Sequence, residues 1–269
     1  MRTTYESDAR PSGTLAELFA DAITLIRQDA AEYGFTALLG AVGGCIAVVV
    51  LMAIGGPIAT ALAAPAGFTA ALITYAMSCA AIRRVGENLS PDSLAAFGAV
   101  CVRAPAVIAP MLLPLGATFV GVLAAVFLQR YIGALPATLL AVAVTLAAAI
   151  PVLQRVLYIP ALFARTANVW DAAARANQAM QAASGALYML LAWALVPAAL
   201  FALIALGSGF DTVAAALATL VFIGSMPLCA AIATLVFDRV AAATQPPAKA
   251  RRPVPQKPPL EDRIARIRR

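Results

Sequence analysis

Histidine is absent from this 269-residue chain, and only 12% of its residues are charged. The first absence removes the side chain most used as a general base and as a metal ligand. No D-D or D-x-x-D pair is present to hold Mg²⁺, and without histidine neither H-E-x-x-H nor a Ser–His couple can form. Asp92, Asp171, Asp211 and Asp238 stand singly in different connections. The expectation is therefore a non-enzymatic protein with no catalytic residue, no metal and no cofactor. Cysteine is sparse as well: Cys45, Cys79, Cys101 and Cys229 form no C-x-x-C pair and read as small buried hydrophobes. Residues 1–33 lack an early apolar core and carry Glu6, Asp8, Glu17, Asp21, Asp29 and Glu32. A secretory signal needs a basic start followed by an apolar stretch, so a retained first helix is expected instead.

What the chain has is apolar surface. Hydrophobic residues make up 62% of it, and the mean hydropathy is +0.89. Soluble domains hold roughly half apolar and about a quarter charged residues. The excess needs lipid as its solvent, where only helices or closed barrels satisfy the backbone. Six continuous apolar stretches, at 35–51, 65–82, 106–128, 135–153, 186–206 and 213–237, each approach the roughly 20 residues that cross a hydrocarbon core. They do not alternate as barrel strands would. None contains Asp, Glu, Lys or Arg, so the usual mark of an ion path is missing.

Charge gives the orientation. Of the 19 basic residues, only Arg130 falls in the connections on one side; all others fall on the other side or in the termini that share it. The positive-inside rule makes the rich side cytoplasmic, with both ends there. The opposite connections, 55–64, 129–134 and 207–212, are short enough for tight hairpins.

A repeat runs through the basic side. Leu15, Leu18, Phe19, Ala22, Ile23, Ile26 and Ala30 recur at helical spacing, with Thr14 and Glu17 placed as a capping box. Leu94, Phe97, Cys101 and Ala104 do so after Ser93, and Val169, Ala173, Ala176, Met180, Ala183 and Leu187 after Asn168. The plan is an all-α polytopic bundle of about six transmembrane helices in three hairpins, each preceded by an amphipathic interfacial helix. Its segments are a disordered N-terminus (1–13), the six-helix domain (14–244) and a Pro-rich basic cytoplasmic tail (245–269). Gly40 and Gly44, with Gly43 beside them, form a small-x-x-x-small face for close helix approach.

Two segments carry a family resemblance. One is Leu15-Ala16-Glu17-Leu18-Phe19-Ala20-Asp21-Ala22, running through Ile26-Arg27-Gln28 into the first span. The other is Tyr158-Ile159-Pro160-Ala161-Leu162-Phe163 with Asp171-Ala172-Ala173-Ala174-Arg175-Ala176 and Gly185. With these the chain resembles a six-helix bacterial membrane family. That family includes the membrane domain preceding some glycerophosphodiester phosphodiesterases and related stand-alone proteins. It departs where the family tends to have an acidic residue, here Arg165 or Thr166, and an Arg-Ser pair, here Arg175-Ala176. The phosphodiesterase domain is absent, so the resemblance implies a bacterial inner-membrane location and no hydrolysis.

The functional expectation is an accessory or scaffold protein acting at the cytoplasmic membrane face. Arg83, Arg84, Arg155, Arg239, Arg251 and Arg252 are the expected lipid-headgroup contacts, by snorkelling from inner helix ends and the tail. The expected partners are membrane lipids, anionic ones included, and a protein on the cytoplasmic face, with no nucleic acid. The alternative is a permease for an apolar or amphipathic substrate, suggested by Pro105, Pro110 and Pro114 at the third span.

Overall fold

The computed structural model describes residues 15–109, 112–133, 156–164, 168–182 and 212–244, with scattered residues between 135 and 147. The expected fourth span lies largely outside the described residues. The fifth span, the N-terminus at 1–13, the tail at 245–269, Thr14 and Arg155 lie wholly outside them. Every described element is an α-helix, and no strand occurs among the described residues. They are α1 (Leu15–Gln28), α2 (Ala30–Ile54), α3 (Gly56–Gly86), α4 (Ser93–Ile108), α5 (Leu112–Ile132), α6 (Tyr158–Leu162), α7 (Val169–Ala182) and α8 (Thr212–Thr244). Four of these, α2, α3, α5 and α8, are long and apolar enough to cross a membrane.

The helices start and stop differently from the apolar stretches. The connection expected at 55–64 shrinks to Gly55, where φ of 71° with ψ of −179° suits glycine alone, and α3 then continues through Pro65. Proline removes one backbone donor, which an apolar helix tolerates when its neighbours compensate. The third span begins at Leu112 rather than 106, because α4 continues through Pro105 to Ile108. Helix α8 extends past 237 to Thr244. At 31 and 33 residues, α3 and α8 are about 46 and 50 Å long, well beyond a hydrocarbon core of about 30 Å.

Helix α3 is the hub, packing against α2, α4, α5, α6 and α8. Gly55 folds α3 back on α2. The end of α5, at Val126–Arg130, adjoins Gly56 and Pro57 at the start of α3, so α5 runs antiparallel to it. Arg83 and Asp238, both near C-terminal ends, meet, so α8 runs parallel to α3. Arg83, Arg84 and Arg239 therefore lie at one end of the bundle and Arg130 at the other.

The interior is built from small side chains. Ala76, Ala80 and Ala81 of α3 and Ala230, Ala231 and Ala233 of α8 are buried, as are Ala37 and Ala41 of α2. Between helices in lipid, close approach supplies the packing that water would otherwise drive. At Gly44 a Cβ would stand 2.5 Å from Ala70 Cβ, and at Gly40 2.8 Å from Thr74 Cβ, so α2 meets α3 through these two glycines. Gly43 has open space around it. The large side chains Phe35, Leu38, Val42, Ile46 and Val49 of α2 instead face outward. The thiols divide likewise: Cys79 and Cys229 are buried as expected, whereas Cys45 and Cys101 face the exterior.

Candidate functional site at the basic end of the bundle

The ends of α1, α2, α3, α4, α6 and α8 meet in one polar layer. Helices α1 and α2 are separated only by Asp29, whose carbonyl accepts from Glu32 and Tyr33 N–H. This turn places Glu32 in the first turn of α2, facing the start of α4. Ser93 donates its backbone N–H (2.8 Å) and its hydroxyl (2.7 Å) to Glu32 Oε1. Thr36 Oγ1 lies 2.7 Å from the same hydroxyl. Ser93 is thereby consumed in a buried tie between α2 and α4. The cap of α4 is the preceding residue: Asp92 Oδ1 accepts from Leu94 N–H (2.9 Å) and Ala95 N–H (3.1 Å). Two carboxylates thus face the positive end of α4.

Helix α3 ends in a Schellman arrangement. Asn88 takes φ of 62°, its N–H bonds to Val85 O at 2.9 Å, and Leu89 N–H bonds to Arg84 O at 2.9 Å. Just before this turn Arg83 reaches α8, where Nη1 donates to Asp238 Oδ1 at 2.7 Å and Oδ2 at 2.9 Å. Its guanidinium lies 5.6 Å from the Phe237 ring centroid. On the next residue of α8, Arg239 pairs with Asp21 of α1 at 2.5 Å. That pair, with Leu18 and Ala22 buried beside it, seats the amphipathic α1 against the bundle.

The short helix α6 closes the layer. Leu157, Tyr158, Ile159, Pro160, Ala161 and Leu162 are all buried. A buried helix end needs partners for its last carbonyls. Arg103 supplies one by donating to Leu162 O, with its guanidinium 5.4 Å from the Phe163 ring centroid. Arg83 Nη2 approaches Pro160 O at 3.5 Å. Tyr75 donates to Val156 O at 2.8 Å, and Tyr158 to Ala106 O at 3.0 Å. Burial raises the Tyr158 phenol above its ordinary value of 10.0, so it stays a neutral donor. Beside α6, a hollow of about 450 Å³ opens between Arg83, Gly86, Glu87, Asn88, Phe163 and Ala164.

The expected headgroup residues occupy different positions. Arg83 and Arg239 carry carboxylate partners within the chain, and Arg84 Nε donates to Ser90 O at 3.3 Å. Arg155, Arg251 and Arg252 lie outside the described residues. The carboxylate of Asp238, the Glu32–Ser93 tie and the role of Arg103 went unrecognised in the sequence. One signal was available. Arg83 and Asp238 each directly follow an expected span, at 82 and 237, which puts opposite charges at one depth. Among the described residues, no cluster of His, Cys, Asp or Glu could hold a metal ion.

No known protein family, curated protein or solved structure matches this chain.

Proposed function

We propose that the chain is a non-enzymatic inner-membrane protein of six membrane-crossing helices with a cytoplasmic basic end. It acts there as an accessory or scaffold toward anionic lipid or a protein partner. The polar layer is the observation that supports this reading. Asp21, Glu32, Arg83, Arg103, Asp238 and Arg239 fasten five helix ends and a buried sixth element into one fixed platform. Its counter-charged pairs hold the platform together, leaving Arg84 and the basic tail to meet headgroups. The resemblance to the six-helix bacterial family belongs to this proposal. Among the described residues, α3 and α8 meet through buried alanines, with Met77, Ile232 and Phe237 buried beside them, a packed contact that favours a scaffold over a permease.

The test is lipid retention. The full chain, purified in mild detergent from membranes of mixed composition, should retain phosphatidylglycerol or cardiolipin several-fold over phosphatidylcholine. Equal retention of anionic and zwitterionic lipid removes the lipid-directed reading.

A further inference from the structure

Helix α4 is inside out by the standard of a helix in water. Its buried positions are Ser93, Ala96, Val100 and Val107. The inner side also takes Ser93 to Glu32 and Arg103 to the Leu162 carbonyl. Its large apolar residues point away from the protein, with Leu94 72%, Phe97 45% and Val102 83% exposed. Cys101 lies on that outer side too. An ordinary 16-residue helix would carry about four charged residues, and a water-facing one would place them outward. Helix α4 has only Arg103, and it turns inward.

We infer that α4 is immersed in membrane hydrocarbon along Leu94, Phe97, Cys101 and Val102, with lipid acyl chains as the partner of that face. The side of the membrane rests on the orientation proposed above, which makes this the inner leaflet. Helix α4 is too short to cross, at about 24 Å for 16 residues against a core of about 30 Å. It is a half-depth element whose polar residues are spent on the protein. Lipid is favoured as the occupant because the face is continuous with other outward apolar surface. The chain passes from α4 into α5, where Leu112 and Val120 are exposed, and Phe35 of α2 lies one turn from the Glu32 that holds Ser93. Arg103 then ceases to be a solvated charge of a cytoplasmic connection. It becomes a cation matched to a buried carbonyl and an aromatic ring.

The native thiols provide the test. In the full chain carrying Cys45→Ser, a spin label on Cys101 is reconstituted in phosphatidylethanolamine–phosphatidylglycerol vesicles. Collision rates with oxygen, which concentrates in hydrocarbon, and with a neutral nickel chelate, which stays in water, are then compared. Cys45, labelled in the Cys101→Ser chain, is the reference for the outer face of a spanning helix. Ser90→Cys in the exposed turn is the reference for water. Cys101 should match Cys45, with oxygen collisions several-fold in excess of nickel collisions, and be the reverse of position 90. Nickel access equal to that at position 90 overturns the inference, placing α4 in water. Protection from both reagents also overturns it, because a protein surface would then cover the face. Either failure leaves anionic lipid retention, measured on the same preparation, free to hold, so the two readings fail separately.

Discussion

Three glycines within one turn and a half of α2 should respond in opposite ways to the same substitution. A methyl group at position 44 would meet Ala70 Cβ at 2.5 Å, and one at position 40 would meet Thr74 Cβ at 2.8 Å and its hydroxyl more closely still. Carbon atoms prefer separations of about 3.5–4.0 Å, so either change forces α2 and α3 apart by roughly an ångström. Overpacking of this kind costs about 1–3 kcal/mol, against a gain near 1 kcal/mol for replacing glycine in a helix. Gly40→Ala and Gly44→Ala should each lose up to about 2 kcal/mol net. Their combination should lose less than the sum, since one separation relieves both contacts. At position 40 the Thr74 hydroxyl cannot rotate away freely, because it donates to Ala70 O at 2.7 Å. Thr74→Ala should therefore recover part of the Gly40→Ala loss. Gly43→Ala, with nothing within 4 Å, should be neutral or stabilising by up to about 1 kcal/mol. Unfolding of the purified protein in detergent, followed by helicity, reads all five variants. Equal loss at 40, 43 and 44 would refute the α2–α3 contact.

Other perturbations probe the polar layer and the topology. Arg83→Met and Asp238→Ala should each destabilise, with a coupling of about 1 kcal/mol in the double-mutant cycle, since the pair is partly open to solvent; additive effects would mean the ion pair contributes nothing. Asp92→Ala should lose the α4 cap and Ser93→Ala the tie to α2, each about 1 kcal/mol by thermal unfolding, and a neutral Ser93→Ala would show that the backbone bond to Glu32 suffices. Gly121→Ala, whose methyl would lie 3.0 Å from Val144 Cβ, should cost up to about 2 kcal/mol net if the segment holding Val144 packs on α5, and a gain near 1 kcal/mol, as at an open helix position, would separate the two. Reporter fusions at Gly209 and after Arg269 should fall on opposite faces of the membrane; finding both on one face would overturn the six-span count.

The sequence by itself determined the helical class of this protein and gave it helices long and apolar enough to cross a membrane. An excess of apolar residues without alternation admits only lipid-embedded helices, a conclusion that depends on composition and period and not on any contact. Gly40 and Gly44 were legible for the same reason: their four-residue spacing puts them on one helix face whatever they meet. Tertiary structure alone decided which face of α4 turns inward. The stripe Leu94, Phe97, Cys101 and Ala104 reads as the apolar face of an interfacial helix, and the structure packs α4 through the other side, at Ser93, Ala96, Val100 and Val107. In a lipid solvent the hydrophobic pattern no longer marks the interior, and small or polar residues compete for it. Asp92 caps α4, while the adjacent Ser93 is held by Glu32, 61 residues earlier. Likewise Arg83, read as a headgroup contact, acquired Asp238 from 155 residues away. No periodicity reports such partners. They arise only when the packing of α1, α2, α3, α4 and α8 brings their charged ends to one level.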